Sequence, residues 1–511
     1  MFKTNVKAYR WAIFCCAVSS LGALCYGYDQ TYYTGILGMQ TFKNDYGHVD
    51  PATGKKVLAT DFTALTTSII YVGELLGALL AAPINDRWGR KAVFLFASVS
   101  IIAGGVAQVA DTGIEGVIIL GRILIGNGIG NFTVICLLYI GEIAPQQVRG
   151  PALMMFQFMQ SCSQLVASGI DQGTNSIVDS SASYRIPMGL LVLLPTLMLL
   201  GLLVIPESPT WYMNKGRRAD AGRALRSIHR SNPSYDPATD LIRLDEAVQR
   251  ERESHNAGAS SWAVLLKDPI ERRKLVYSCG SMCAQQINGI VFFYSYGVIF
   301  AQSIGLSQAF TISLITNVLQ VFAVGASVLL GNKVRRRTNL LVTTGMMFWA
   351  YIIIGGIATR PITTGPAIAI VIISYVVIVA FNFGLGPLAY TVASEVAVGP
   401  NRNKIMSCSI ITFFLTTWVI SFTAPYLYYT ANLGPMLGFV YAGTTVISLL
   451  YIWFCVGETT GRSILEVSLF FEERIPVRRW RTHVFPQLSH DGEDKRSLDG
   501  KNHMCEQVEE P

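Results

Sequence analysis

The chain has 511 residues, of which 51% are hydrophobic and only 14% charged, far below the ~25% charged residues of an ordinary soluble protein. Its mean hydropathy is +0.41. The formal net charge of +7 comes from Lys and Arg spread through loops and not gathered in a stripe, which argues against a nucleic-acid surface.

Twelve apolar runs follow one another, each near the roughly 20 residues needed to cross a ~30 Å hydrocarbon core. They lie near 12–36, 62–82, 92–110, 116–140, 151–171, 186–205, 276–301, 309–330, 340–358, 366–393, 404–429 and 435–456. Met1 to Arg10 is a short polar lead, so the first run is expected to act as its own insertion signal with no cleaved peptide. After the sixth run comes a charged stretch in which Arg217 to His229 and Leu241 to Glu253 have amphipathic helical spacing, separated by Pro233 and Pro237. After the twelfth comes a polar tail whose basic start, Arg478, Arg479 and Arg481, can meet anionic lipid or be an ordinary solvated flank. The expected organisation is an N-terminal six-helix bundle (1–206), a cytosolic helical insert (207–275), a C-terminal six-helix bundle (276–457) and a largely disordered cytosolic tail (458–511). The ten cysteines show neither a disulfide framework nor metal-ligand spacing, and the sequon at Asn131 lies inside a run.

Loop charge sets the orientation. Loops on the side of both termini hold Arg87, Arg90, Lys91, Arg149, Lys333, Arg335, Arg336, Arg337, Arg402 and Lys404, together with the basic insert. Those opposite hold only Lys43, Lys55, Lys56, Arg185 and Arg360. The positive-inside rule therefore places both termini and the insert in the cytosol.

The same three charged signatures occur twice in the same order, about 250 residues apart, as expected of a duplicated transporter. Asp86 to Lys91 answers to Asn332 to Arg337, Glu142 and Arg149 to Glu395 and Arg402, and Pro206-Glu207-Ser208 to Gly457-Glu458-Thr459. These clusters read as a cytosolic gate. Arg87 and Arg90 are expected to reach Glu142, and Arg336 or Arg337 to reach Glu395. Glu207 and Glu458 are expected to engage Arg149 or Arg402 across the inner edge. Surface pairs contribute ~0–1 kcal/mol each, which suits a reversible switch.

Ionisable residues inside spans are costly and are functional suspects by default. Asp29 in the first span and Arg122 in the fourth are expected to pair in the interior. A carboxylate whose partner comes and goes with conformation can couple protonation to movement; the alternative is a permanent structural pair. Glu74, between Gly73 and Gly77 in the second span, lines the cavity, binds substrate or shares the proton, or else only hydrogen-bonds a neighbouring helix. Inside a dry cavity, paired amides suit solute hydroxyls because each both donates and accepts. Gln157 and Gln164 sit two turns apart in the fifth span, and Gln285 and Gln286 open the seventh.

The blocks Gly27-Tyr28-Asp29, Asp86 to Lys91, Gly121-Arg122, Pro206-Glu207-Ser208-Pro209, Gln285-Gln286 and Gly384-Leu385-Gly386-Pro387 resemble the sugar porter family of the major facilitator superfamily, and among it fungal sugar/proton symporters. The resemblance covers about residues 10–470. It implies an all-α membrane protein with twelve transmembrane helices in two pseudo-symmetric six-helix bundles, the major facilitator fold. It implies that Asp29 and Arg122 act in proton coupling. It also implies that Gln157, Gln164, Gln285 and Gln286, with Tyr26, Tyr296 and Tyr390 as aromatic positions, bind sugar. The chain departs from the pattern at Val291 and Thr417, where the family has Asn, and at Tyr390, where it has Trp. Thr210, Asn332, Gly457 and Thr460 depart at the gate. A lost amide selects against a substrate hydroxyl at that place, so a modified sugar, a polyol, a glycoside or a ring acid stays open.

No nucleophile–base set, phosphate loop or metal cluster is seen, so neither an enzyme nor a cofactor is expected. The expected protein is a monomeric plasma-membrane carrier of a sugar or sugar-like solute, working by alternating access with a proton. A uniporter and a transporter-like nutrient sensor are the alternatives.

Overall fold

A computed structural model describes residues 6–485, except 50–53, 55, 112, 145, 178–179, 233–234, 257–261, 331–333, 400, 461, 463 and 484. The first half comprises α1 (Val6–Ser19), α2 (Leu21–Gly38), α3 (Gln40–Tyr46), a small antiparallel hairpin of β1 (His48–Val49) and β2 (Lys56–Val57), α4 (Thr60–Trp88), α5 (Arg90–Ala110), α6 (Glu115–Ile143), α7 (Gln146–Thr174), α8 (Ala182–Leu191) and α9 (Leu193–Leu202). Four short helices follow: α10 (Pro209–Asn214), α11 (Arg218–Ile228), α12 (Ala238–Asn256) and α13 (Trp262–Lys267). The second half comprises α14 (Pro269–Ile287), α15 (Ile290–Ser303), α16 (Ala309–Leu330), α17 (Arg336–Ala358), α18 (Thr364–Phe383), α19 (Leu385–Val396), α20 (Arg402–Pro425) and α21 (Leu437–Cys455), with α22 (Ile464–Glu472) after it.

Among the described residues ten helices are long and apolar enough to cross a membrane. The segments Gln146–Thr174 and Pro269–Ile287 pack among them and are more polar, and α15, which also packs among them, is apolar but only 14 residues long. Large apolar side chains face outward, with Leu203 and Leu329 each 80% exposed and Phe322 73%. Asp29, Glu74, Arg122 and Gln164 are buried instead. Polar inside and apolar outside is the arrangement lipid requires.

Local chemistry sets the breaks. Ser208 caps α10 by accepting from the Trp211 N–H, with Pro209 in the first turn, and Asp268 caps α14 in the same way with Pro269. Gly289, at φ +78°, separates α14 from α15.

The two halves pack by matched contacts. Helix α4 lies against α20, and its counterpart in the repeat, α16, lies against α7; α2 meets α15 between them. Within the first half, α4 and α6 approach backbone to backbone. A Cβ at Gly77 would lie 2.0 Å from the Asn127 carbonyl oxygen, and one at Gly130 would lie 2.0 Å from that of Glu74. Gly73 and Gly126 are equally confined, so this helix pair is a small-residue interface in which any side chain would force the backbones apart.

Helices α10, α11 and α12 enclose a small core of Met213, Ala221 and Val248. The tail corrects an expectation. The stretch from Ile464 to Phe485 is folded, because Phe470, Phe471, Trp480 and Phe485 bury one another, with Trp480 stacked on Phe470 at 4.9 Å. Arg478 lies over the Trp453 ring at 4.9 Å. Apolar residues spaced through a polar stretch supplied the burial that composition alone hides. Residues 486–511 lie outside the described residues.

Gly130→Ala should destabilise the purified protein by about 1–3 kcal/mol through overpacking, read as a lowered melting temperature in detergent. Gly141→Ala, where a Cβ meets nothing within 4 Å, should leave it unchanged or slightly raised.

Candidate substrate and proton site

Asp29 and Arg122 meet in the interior, with Arg122 Nη1 donating to Asp29 Oδ1 at 2.8 Å. Both side chains are almost wholly buried. Arg122 Nε also donates to the Thr66 carbonyl oxygen at 3.2 Å, and its guanidinium lies 4.1 Å from the centre of the Tyr33 ring. Charge, hydrogen bond and π face together offset the cost of removing the cation from water. A cavity of about 10 Å³, room for roughly one water, adjoins the pair and is also lined by Gln30, Tyr71, Glu74 and Ser295. Ser295 comes from the second half, so the cavity lies between the halves.

The expected substrate residues are spread along the same interior. Gln164 accepts a hydrogen bond from Gln320 Nε2, an amide on α16 absent from the expected set. Gln285 Nε2 donates to the Gly386 carbonyl oxygen at 2.6 Å, which leaves its Oε1 unbonded among the described residues. Gln157 is half-buried and Gln286 buried, and neither side-chain amide is hydrogen-bonded among the described residues. Tyr26 is buried, Tyr296 donates to the Ser421 carbonyl oxygen at 2.8 Å, and half-buried Tyr390 packs on Phe413 with centroids 5.5 Å apart. Gln164, Gln285 and Tyr296 thus bridge helices here, while Gln157 and Gln286 keep unused amides. Val291 is buried, and the Thr417 hydroxyl is bonded to the Phe413 carbonyl of its own helix. Half-buried Gln30 and buried Gln320, amides on lumen-facing helices, were detectable in sequence as polar residues inside apolar runs.

The charged clusters lie at the end where the insert sits, here called the basic end. Arg90 donates through Nε to Glu142 at 2.9 Å and through Nη2 to the other carboxylate oxygen, and Ser208 also donates to Glu142. Glu207 accepts from the backbone N–H groups of Arg90 and Lys91, both at 3.0 Å, at the N-terminus of α5. Gly89, at φ +96°, admits this: a Cβ there would lie 2.5 Å from the Glu207 carboxylate. The second half repeats the arrangement. Arg336 pairs with Glu395, and Glu458 accepts from the Arg336 N–H at 3.1 Å and from Thr460 Oγ1 at 2.6 Å.

Glu207 and Glu458 each hold a helix N-terminus in their own half, where free backbone N–H groups are ready donors. Arg402 is exposed. Asp86 and Arg87 are exposed, with Arg87 over the Trp88 ring, and Arg337 donates to the Trp453 carbonyl oxygen at 2.8 Å. The side chain of Arg149, and residues Asn332 and Lys333, lie outside the described residues.

Hydrogen bonds between the halves, among the described residues, lie from the midplane to the end opposite the basic one. Thr34 donates to the Tyr294 carbonyl at 2.8 Å, Lys43 to Gln302 at 2.9 Å, Gln302 to the Gly38 carbonyl at 3.0 Å and Gln172 to Thr311 at 3.2 Å. The halves are latched at that far end. Above the latch, a cavity of about 720 Å³ is lined by residues including Lys43, Asp61, Gln302 and Tyr429.

The sequence profile of the family described as "Sugar (and other) transporter" matches residues 15–471. The chain belongs to this sugar transporter family. Among curated relatives, this family member is 26% identical over 495 residues to the hexose transporter HXT13 of Saccharomyces cerevisiae, covering 94% of this chain and 86% of the relative. It is 28% identical over 465 residues to the probable glucose transporter rco-3 of Neurospora crassa (88% and 77% covered). It is also 27% identical over 486 residues to the high glucose sensor RGT2 of S. cerevisiae, covering 92% of this chain and 61% of that one. The partially occluded inward-open structure of the xylose transporter XylE from E. coli superposes with a TM-score of 0.73 at 19% identity, over 89% of this chain and 100% of that one. The fold is that of the major facilitator superfamily.

Removing one partner of the Arg90–Glu142 pair leaves the other charge buried, at 6% and 11% side-chain exposure. Glu142→Ala should therefore cost on the order of 3–5 kcal/mol. The Arg90→Ala/Glu142→Ala double variant should lose less than the two single losses added. Thermal unfolding of the four proteins measures this; additive losses would refute the coupling.

Proposed function

We propose that this member of the family carries a sugar or sugar-like solute into the cell by alternating access, driven by the proton gradient. The observation that carries the reading is the buried Asp29–Arg122 pair beside a cavity between two duplicated halves. Protonation of Asp29 weakens its hold on Arg122, and the freed guanidinium lets the halves rearrange. Solute binds to Gln157, Gln164, Gln285 and Gln286, with Tyr26, Tyr296 and Tyr390 presenting aromatic faces. Where an amide now bridges helices, as at Gln164 and Gln285, solute hydroxyls replace the bridging bond.

The unit is a monomer with twelve spans, bundles at 1–206 and 276–457, and the insert at 207–275. It sits in the plasma membrane with both termini in the cytosol, on the positive-inside reading of the basic end. On that orientation the far-end latch is extracellular, and the conformation described here is closed to the outside. The Arg90–Glu142 and Arg336–Glu395 clusters hold each half's cytosolic edge rigid while the halves rock; they gate by position, with Asp86, Arg87, Arg149, Glu207, Arg402 and Glu458 at the same edge. A structure of a related protein is described as a proton:xylose symporter bound to 6-bromo-6-deoxy-D-glucose, which supports both the solute class and the coupling. The hexose and glucose transporters among its relatives support the solute class; a facilitative uniporter, in which the Asp29–Arg122 pair is permanent and structural, is the second reading.

Expressed in cells lacking their own carriers, the protein should accumulate a labelled sugar against its gradient, and a protonophore should abolish the accumulation. Saturable uptake indifferent to the protonophore selects the uniporter. Asp29→Asn should equilibrate the sugar without concentrating it. Gln286→Ala, losing hydrogen bonds of about 1–1.5 kcal/mol, should raise KM roughly tenfold with little change in the maximal rate.

A further inference from the structure

Glu74 is a buried acid that the Asp29–Arg122 chemistry leaves unused. Its side chain is 0% exposed, and both carboxylate oxygens lack a hydrogen-bond partner among the described residues. It nevertheless lines the same cavity as Asp29 and Arg122. The backbone cannot withdraw it, because the Glu74 carbonyl sits where a Cβ on Gly130 would be. The titratable groups that face it are Asp29 and Tyr26 on α2, Tyr71 on its own helix, Arg122 on α6 and Tyr390 on α19. Arg122 is the cation in that set, and Asp29 already holds it.

Two carboxylates therefore face one guanidinium around a cavity with room for about one water. With both ionised, the site carries a net negative charge, and Glu74 bears it without a side-chain or backbone donor among the described residues. That is far more costly than binding a proton. With one proton present the site is neutral, and carboxylates sharing a site hold such a proton jointly.

We propose that Glu74 and Asp29 share the single transported proton, and that Glu74 holds it while Arg122 is bonded to Asp29. The proton arrives with the solute from outside and forms an O–H on Glu74 as the site closes. When the cytosolic side opens, entering water takes that proton. The carboxylate left behind then competes with Asp29 for Arg122, which loosens the pair and favours return of the empty carrier. This mechanism rests on the proton-coupled reading above and adds a second acid to it. Neutralising either carboxylate leaves the other to balance Arg122, so each single variant keeps a neutral site and has no proton to carry.

The test uses the full chain reconstituted in proteoliposomes with a sugar that the wild type concentrates. A one-unit pH gradient can hold about a tenfold solute gradient for each proton carried. Wild type should approach that limit, whereas Glu74→Gln should stop at equal concentrations inside and out while retaining sugar counterflow. The pH dependence of its KM should flatten. Wild-type accumulation with an unchanged pH profile in Glu74→Gln overturns the proposal. Loss of counterflow together with accumulation, in a variant that inserts, overturns it too, because it places Glu74 in solute binding or folding. If Glu74→Gln does not insert, Glu74→Asp takes its place: it should accumulate sugar with a displaced pH profile, and a profile superimposable on wild type overturns the proposal. Absence of protonophore-sensitive accumulation in the wild type itself takes down the coupling reading and this one together; wild-type coupling with an indifferent Glu74 takes down this one alone.

Discussion

A guanidinium in the middle of a lipid-embedded helical bundle must be neutralised and hydrogen-bonded, and Arg122 meets that demand by drawing two helices, α2 and α4, onto its own. Asp29 on α2 supplies the charge, the Thr66 carbonyl on α4 accepts a second hydrogen bond, and Tyr33 offers its ring. The arrangement is possible because α4 and α6 touch backbone to backbone through glycines. Larger residues there would move Thr66 and Glu74 outward and leave the arginine incompletely solvated by protein. The small-residue interface and the buried charge are thus one design, in which packing geometry sets the electrostatics.

The basic end follows a different physical rule. Each half uses a glutamate to hold the N-terminus of a helix and an arginine from that helix to hold a second glutamate, in the same arrangement twice. Such networks join groups of one half among the described residues, and they make each edge stiff. The bonds that join the halves lie elsewhere, from the midplane to the far end, and are few and mostly between neutral groups. Stiff edges with a weakly bonded seam are what two bodies need if they are to rock against each other over a modest energy gap.

The interior amides show how one residue type serves two purposes. Gln164 and Gln285 bridge helices in this closed arrangement, whereas Gln157 and Gln286 keep unused hydrogen-bonding capacity. A bridging amide stabilises the empty cavity at little cost and can be exchanged for solute hydroxyls of similar bonding capacity. Val291 is apolar and supplies no such capacity, and Thr417, whose hydroxyl donates to its own helix, is left only to accept. Any solute that fits must be content with fewer polar contacts on that side.

Hydropathy, the duplicated motifs and the cost of buried charge were enough to read a polytopic helical membrane protein, its repeat and the pairing of Asp29 with Arg122. Each follows from a strong one-dimensional constraint: the length of a span, the cost of a charge in lipid, and the persistence of a motif after duplication. Other features needed three dimensions. Glu207 and Glu458 meet the N-termini of α5 and α17, helices far from them in the chain, and no spacing in the sequence shows that meeting. The stretch from Ile464 to Phe485 folds because four aromatic residues meet, although their surroundings look polar in sequence. The sequence marked Glu74 as costly and left several roles open. Only the packing of α4 on α6 placed that acid, without a donor among the described residues, beside a guanidinium that another carboxylate already holds.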